Sequence, residues 1–489
     1  MTQLIGLDLG TTTVTGVLWD AEEGQVLGLA QRRNDAAGRS GQSTRAEQDP
    51  HRLRTLSLEV LKELVTGGGR QGGAGSSAPG DHRLDGLALT GQMHGLLCVD
   101  AENQPLTPLI SWQDQRTAEP LPGGPTTLDR IHARLEDLDW RPNGCRLQHG
   151  YGAATLFWIA QNGQLPAGTH RVCTLADWLA GKLTGQLPVT DPTLAASWGV
   201  YHLLDGGWNA AFLERLDLET GLFPPVRPSA EPLGGLAPQL ARHVGLPAGL
   251  PVFNGVGDSQ AAFAGATLPL TDGTEGELAV EEILLFNLGT GGQVCWAVGE
   301  FEVPTEAVET RPLPQGCFLR VGASLCGGAA YAWLNRTVRA WLAEFGVEVG
   351  EDAVYERLNA LAADSRGAEG LCVRTTFLGV RGDPAVKTGA IEGITLEAMR
   401  LGPLARATLT GVVDELRDLY RDHAGRSAGA TRIVATGGGV WQNPLLPGLI
   451  EARFGLPVQV SRQREAAAVG AAMLASGIST PMSGQSSPT

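Results

Sequence analysis

The feature that most restricts how this chain can fold is a hairpin that occurs twice. Residues 4–20 read "LIGLDLGTTTVTGVLWD" and residues 284–298 read "LLFNLGTGGQVCWAV". Each copy is an apolar strand, a polar residue, Leu-Gly-Thr and a second apolar strand. Asp8 of the first copy is Asn287 in the second. Glycine lets the backbone come close to an anion, and successive amide groups in such a turn form a concave nest. Thr11 and Thr12 add hydroxyl donors. A lone Leu-Gly-Thr is equally a tight turn. Two copies in matching context predict a pair of loops holding opposite sides of a triphosphate. Such loops need a carboxylate only where magnesium sits, because magnesium takes carboxylate and water oxygens. Asp8 is therefore expected on the magnesium side, acting through water, while Asn287 keeps the size without the charge. The common phosphate loop GxxxxGK[ST] is absent from the sequence.

A chain of 489 residues exceeds one ordinary core, which predicts two domains. Residues 3–7, 13–19 and 25–31 alternate like three antiparallel strands. A helix follows, with Asp49 as cap, Pro50 in its first turn and Leu53, Leu56, Val60, Leu61 and Leu64 on one face. Residues 67–81 form a glycine-rich surface loop by composition. Strands at 84–90 and 95–99 come next. The second half repeats the outline, with strands around 283–298 and 317–323, a helix at 404–420, a strand at "TRIVATGGG", a helix opened by Asn443 and Pro444 and closed by Gly455, and a small-residue helix in "EAAAVGAAMLASG". The expected domains are 1–268 and 269–478, the second followed by a disordered tail at 479–489. Two halves with one opening motif suggest a duplication, the copies facing each other across a cleft.

Composition narrows the partners. The net charge of -15 opposes binding to nucleic acid or anionic lipid, and no apolar run is long enough to span a membrane. The N-terminus reads as a strand, without a signal peptide. Seven scattered cysteines without CxxC spacing suit a reducing, cytoplasmic compartment and argue against a zinc site or a disulfide framework.

Three further stretches carry chemistry. "GVGDSQAAFAG" sets Asp258 at the end of an apolar strand and the start of a small-residue helix, a place for a general base or for a helix cap. "GQMHG" sets Gln92, Met93 and His94 in a turn between strands, where all three side chains can meet a polyol. "SWQDQR" adds Trp112, Asp114 and Arg116, an aromatic ring with an acid and a base, common in sugar sites and on ordinary surfaces alike. "ATGGGVWQNP" ends a strand in three glycines, with Asn443 beyond; Gly437 and Gly438 leave the backbone open to a flat base or ribose, and the same stretch is also a plain strand–turn–helix.

Taken in order, "GLDLGTTT", "EQDP", "GQMHG", "WQDQR", "VTDPTLAASWG", "GVGDSQAAFAG", "LGTGG", "FLGVRGDP", "ATGGGVWQNP" and "EAAAVGAAMLA" resemble the FGGY carbohydrate kinases of the actin/Hsp70-like ATPase superfamily, along nearly the whole chain. The resemblance implies an α/β fold of two ribonuclease H-like domains and ATP-dependent transfer to a sugar hydroxyl. It implies Asp258 as catalytic base beside the magnesium, and Ser259 as a substrate contact with Gln92, Met93, His94, Trp112 and Asp114. Gly10, Thr11 and Thr12 match the first phosphate loop, Gly289 and Thr290 the second, and Gly437, Gly438 and Asn443 the adenosine site. ATP, Mg2+ and a ketose are the implied ligands, and a homodimer is one assembly compatible with it. Glycerol kinases carry Arg-Glu where this chain has Met93-His94. "HGYGAATLFWIA", "AASWGVYHLLDGGWN" and "LRVGASLCGGAAYAWL" look most like sedoheptulokinases, with xylulokinases next. Small residues at Ala153, Ala154, Ala195 and Ala196 are expected to leave room for a longer sugar. The chain departs from the family at Val380, usually Glu, and at Trp441, usually small. The rival reading is a non-catalytic member, a sugar-sensing regulator or a filament former.

Overall fold

The computed structural model describes residues 2–38, 44–67, 84–120, 124–268, 279–365, 367–380, 388–425, 429–461 and 463–477. The surface loop read at 67–81 lies outside these beyond Gly67, as does the tail at 479–489. The chain forms two compact units. One is Met1–Pro269 with Arg311–Phe318 and Glu465–Thr480, and the other is Leu270–Thr310 with Leu319–Arg464 and Pro481–Thr489. The sequence reading placed all of 269–478 in a second domain. Its residues 311–318 and 465–478 group instead with the first unit, the latter because the helix Ala466–Ala475 packs on that unit's elements.

The first unit is built on a six-stranded sheet of β1 (Gln3–Leu9), β2 (Thr13–Asp20), β3 (Gln25–Arg33), β4 (Leu84–Gly91), β5 (Pro232–Gly235) and β6 (Pro251–Gly257), in the order β5-β6-β4-β1-β2-β3. β1, β2 and β3 are antiparallel neighbours, as their alternation predicts. β4 runs parallel to β1, with Asp8 opposite Thr90, and β6 runs parallel to β4, with Gly257 opposite Gly91. Three parallel strands thus end side by side at Asp8, Gly91 and Gly257. Ligands of α/β sheets gather at such carboxyl ends.

Helices cover this sheet: α1 (Pro50–Thr66), α2 (Gly152–Gln161), α3 (Leu175–Thr184), α4 (Pro192–Ala196), α5 (Pro238–Val244) and α6 (Asp258–Thr267). In α1 the Asp49 side chain accepts from the His51 amide, and the stripe Leu53, Leu56, Val60, Leu61, Leu64 is buried. The small-residue helix Ala466–Ala475 packs directly on α6. A Cβ at Gly470 would lie 1.8 Å from the Ala261 carbonyl oxygen, and one at Gly265 2.0 Å from that of Ala466. These glycines are therefore steric requirements of the contact.

A second sheet consists of β7 (Ile283–Leu288), β8 (Gly292–Val298), β9 (Val308–Leu313), β10 (Cys317–Ser324), β11 (Arg432–Thr436) and β12 (Val458–Val460), in the order β9-β10-β8-β7-β11-β12, and belongs to the second unit except for the ends of β9 and β10 within Arg311–Phe318. Its hairpin β7–β8 is antiparallel, β11 runs parallel to β7 with Asn287 opposite Thr436, and β12 runs parallel to β11. With the edge strands β5 and β9 set aside, both sheets place their remaining five strands third, second, first, fourth, fifth, counted from each opening hairpin. The expected two-domain α/β architecture is therefore present. Helices α7 (Gly327–Glu344), α8 (Glu351–Asp364), α9 (Leu401–His423), α10 (Gly438–Gln442) and α11 (Leu446–Phe454) complete the unit. All seven cysteines are free thiols, six of them buried. Among the described residues no helix is long and apolar enough to cross a membrane.

Candidate active site

In the first unit the turn after β1 is held from behind. The Asn34 side-chain amide donates to the carbonyls of Gly10 and Thr11 at 3.1 and 3.0 Å, and its backbone N–H to Thr12. A Cβ at Gly10 would stand 2.7 Å from the Thr13 carbonyl oxygen. The Trp112 indole N–H donates to Thr11 Oγ1 at 3.0 Å, and the ring is 46% exposed. That links one predicted sugar contact to one predicted phosphate loop.

Asp8, near the end of β1, and Asp258, just beyond β6, stand at the same end of the sheet with β4 between their strands. Asp258 opens α6 and is not its cap; the cap position is Gly257, whose amide donates to Thr193 Oγ1 at 2.7 Å. Thr193 in turn donates to the buried carboxylate of Asp191, which also accepts from the Leu194 amide and from Ser229. This relay fixes the backbone under Asp258. Asp258 keeps a solvent-accessible face, yet the surrounding protein desolvates it and raises its pKa to about 6, with Ser259 hydrogen bonds pulling the other way. Asp8 is raised well above the carboxylate range, first by desolvation, then by Asp258 and Glu465. Its Oδ1 is buried and, among the described residues, has no hydrogen-bond partner. Asp258 is thus the carboxylate that ionises first, and burial, with the Asp258 charge added to it, holds the proton on Asp8. A cation placed there would reverse that. Among the described residues no group of three or more His, Cys, Asp and Glu side chains is arranged to hold a metal directly.

The Gln92-Met93-His94 turn lies beside β6. Gln92 is buried, donates to Gln48 Oε1 at 3.0 Å, and leaves its own Oε1 buried without a partner. Met93 is buried, its sulfur close against Gly257. His94 has φ 69°, a left-handed conformation uncommon for a non-glycine residue. It is held there because its N–H donates to Ser197 Oγ and its Nδ1 to the Ser197 carbonyl at 2.5 Å, while its ring stacks on Tyr151 at 4.3 Å. Arg311, only 4% exposed, donates to Tyr151 Oη and to the Ala196 carbonyl, each at 3.0 Å. Asp114 is consumed structurally: it accepts from Arg116 and from the Ala46 amide. The room expected at Ala153, Ala154, Ala195 and Ala196 is not seen there, because all four are buried at 0–1% exposure.

In the second unit a cavity of about 620 Å³ is lined by Gly289 and Thr290 of the repeated hairpin, by Gly438 and Asn443, and by Tyr331 and Asn359. Ala329 donates to the Thr290 carbonyl and Gly328 to that of Gly289, so the start of α7 braces the loop. Gly437 has φ 96°, and a Cβ there would meet the Leu288 carbonyl and Asn287 Oδ1 within 2.6 Å. A Cβ at Gly438 would meet nothing within 4 Å, so that glycine faces open space. Asn443 Oδ1 accepts from the Leu445 amide before the helix begins, and its Nδ2 donates to Asn359 Oδ1, which also accepts from Tyr331 Oη. Trp441 does not line the cavity; its indole donates to the Ser461 carbonyl, and Arg464 lies over its ring. Val380 lines a different cavity, and the end of its motif, 381–384, lies outside the described residues.

The sequence reading missed Asn34, Tyr151, Ser197, Arg311, Asn359 and the Asp191–Thr193 relay. Tyr151, Asp191, Thr193 and Ser197 sat inside stretches already quoted. Arg311 carries no sequence signal, because only the fold brings it to Tyr151.

Two halves with one strand order, a hairpin loop at the head of each and a carboxylate at a strand-to-helix junction decide the family. The sequence matches the FGGY family of carbohydrate kinases over both its N-terminal domain, residues 3–265, and its C-terminal domain, residues 284–477. The chain belongs to the FGGY family. It is therefore a carbohydrate kinase. It is 26% identical to a sedoheptulokinase of Mus musculus, covering 96% of both chains, and 29% identical to a glycerol kinase of Thermus brockianus, covering 96% of this chain and 89% of the other. The crystal structure of xylulose kinase from Rhodospirillum rubrum superimposes with a TM-score of 0.82 at 26% identity, covering 97% of this chain and 89% of that one.

Proposed function

We propose that this FGGY kinase phosphorylates the terminal primary hydroxyl of a ketose, with sedoheptulose as the substrate and sedoheptulose 7-phosphate as the product. The observation that carries the ketose reading is the Gln92-Met93-His94 turn. Its histidine is locked against Tyr151 and Ser197, and no arginine–glutamate pair stands in that turn to take glycerol. The likeness to the mouse sedoheptulokinase along 96% of both chains supports the seven-carbon sugar. The structural likeness to a xylulose kinase favours D-xylulose as the second reading.

In this mechanism the second unit's cavity takes the nucleotide, its adenosine against Gly437, Gly438 and Asn443 and its phosphates against Gly289 and Thr290. Gly10, Thr11 and Thr12 of the first unit are the other phosphate loop that the family motif implies. Gln92, Met93, His94, Trp112 and Ser259 position the sugar, and Asp114 holds the Trp112 turn through Arg116. Asp258, ionised at neutral pH, accepts the proton of the primary hydroxyl as its oxygen attacks the γ-phosphate in line. Positioning and charge stabilisation supply most of the acceleration in such transfers. The unpartnered Oδ1 of Asp8 suits a water-mediated magnesium. Bound there, magnesium neutralises charge on the phosphates. A site that hydrogen-bonds the extra hydroxyls of a seven-carbon sugar rejects the shorter one, since its polar groups are left unpaired.

The test is a panel of sedoheptulose, D-xylulose and glycerol with ATP, reading ADP release and phosphorylated product. Higher kcat/KM for sedoheptulose supports the reading, and a clear preference for D-xylulose transfers it to the second. Failure of every ketose with glycerol accepted overturns the role given to Met93 and His94.

A further inference from the structure

We propose that the first unit carries a second binding site, away from its catalytic residues, for a small ligand bearing a phosphate monoester group. A cavity of about 630 Å³ opens between α1, α3 and α5, and three cations line it: Arg54, Lys182 and Arg242. On a chain with net charge -15, several arginines of this unit are neutralised, among them Arg45, Arg52, Arg116, Arg134, Arg141 and Arg215, each within 4 Å of a carboxylate. Arg54, Lys182 and Arg242 differ: among the described residues none has a hydrogen bond or an ion pair. Glu102 also lines the cavity and pairs with none of them.

The burial makes this consequential. The Nε of Arg54 is buried without an acceptor, which costs free energy unless something supplies one. Lys182 is pushed below the usual lysine range, first by desolvation and then by repulsion from Arg54, with Asp100 partly offsetting both. Three cations against Glu102 in the wall and Asp100 beside Lys182 leave one positive charge uncompensated. A phosphate monoester brings up to two negative charges and several acceptor oxygens, matched to guanidinium and ammonium donors. A long polyanion would meet the acidic surface beyond the rim.

None of these residues belongs to the catalytic machinery, so the site stands whether or not the ketose reading does. Its walls nonetheless reach the sheet at whose end Asp8 and Asp258 stand. α1 packs on β2, and α3 packs on β6, where a Cβ at Gly255 would come 2.7 Å from Ala176.

The test uses the full chain saturated with ADP and magnesium, titrated calorimetrically at fixed ionic strength with inorganic phosphate and, separately, with fructose 6-phosphate. The wild type is expected to show an anion site that the doubly neutralised variant Arg54→Gln/Lys182→Gln lacks. Each cation removed weakens binding about tenfold. Arg242→Gln, at an exposed position, gives a milder loss and keeps the test open should the double variant fold poorly. Equal affinity for the two ligands assigns recognition to free phosphate; tighter binding of the sugar phosphate assigns it to a phosphorylated metabolite. Binding unchanged in all variants, absent below about 10 mM in the wild type, or displaced equally well by chloride overturns the proposal.

Discussion

Asp258→Asn separates catalysis from stability in one substitution. Desolvation sets the Asp258 pKa at about 6, against 3.8 for a free side chain. At pH 7 about nine-tenths of the molecules carry the ionised base, and at pH 5 about one-tenth, so kcat/KM should fall roughly tenfold per pH unit below that value. Magnesium or any other cation nearby favours the ionised form, so about 6 is the ceiling of this limb. Asparagine cannot take the proton, and turnover should drop by about 10² or more, with nucleotide affinity little changed. Stability moves the other way. A carboxyl whose pKa is raised on folding carries no cost below 3.8, a growing cost up to its folded pKa, and a constant cost above it. That cost is on the order of 1–3 kcal/mol at pH 7, discounted for the solvent-accessible face. The variant should therefore unfold at higher temperature than wild type at pH 7.5 and at the same temperature near pH 3.8. Steady-state rates from pH 4.5 to 8, with melting curves at both pH values, measure all three quantities. Turnover within tenfold of wild type, or an acid limb that survives in the variant, refutes the assignment of Asp258.

Other outcomes follow from the same geometry. Asp8→Asn should raise the magnesium concentration needed for half-maximal activity, while Asn287→Asp should weaken ATP binding by adding charge beside the phosphates; overlaying magnesium titrations for Asp8→Asn and wild type would show the two hairpins to be wrongly assigned. Arg311→Gln disturbs the hydrogen bonds to Tyr151 and the Ala196 carbonyl, so the sugar KM should rise about tenfold with the ATP KM unchanged; an equal change in both points to general loosening instead. Gly470→Ala puts a methyl 1.8 Å from the Ala261 carbonyl, and urea titration should show a loss of about 1–3 kcal/mol or more; a loss under about 0.5 kcal/mol means that the two helices part easily.

The opening strands, α1 with its Asp49 cap, and the strand-end place of Asp258 were legible because each rests on local pattern: alternation, a capping residue, a strand meeting a small-residue helix. The two hairpins were legible because the chain repeats itself. What escaped depends on residues far apart in sequence. Asn34 holds the first loop from the end of another strand, and Arg311 meets Tyr151 across 160 positions of chain. Asp114 looked like a sugar contact because composition cannot tell a free carboxylate from one already bonded to Arg116. The four alanines suggested space, yet a small side chain also lets backbones approach and fills the gap itself. Trp441 looked like an obstruction near the base, and only its bond to Ser461 shows that it turns aside.

The close fit between α6 and the helix Ala466–Ala475 has a consequence for how the protein is made. The first unit takes its last wall from Glu465–Thr480, yet the rest of its main segment ends at Pro269. At about 5–20 residues per second, the ribosome leaves a delay of roughly 10–40 s between the two. Through that interval Ala261, Ala264, Gly265 and the outer face of β1 at Gly6 have no partner, though in the finished protein they are sealed. The nascent chain must wait with an apolar seam open while most of the second unit is synthesised. Chaperone capture during translation, and sensitivity to stop codons placed shortly before Glu465, are therefore written into the chain order of this kinase.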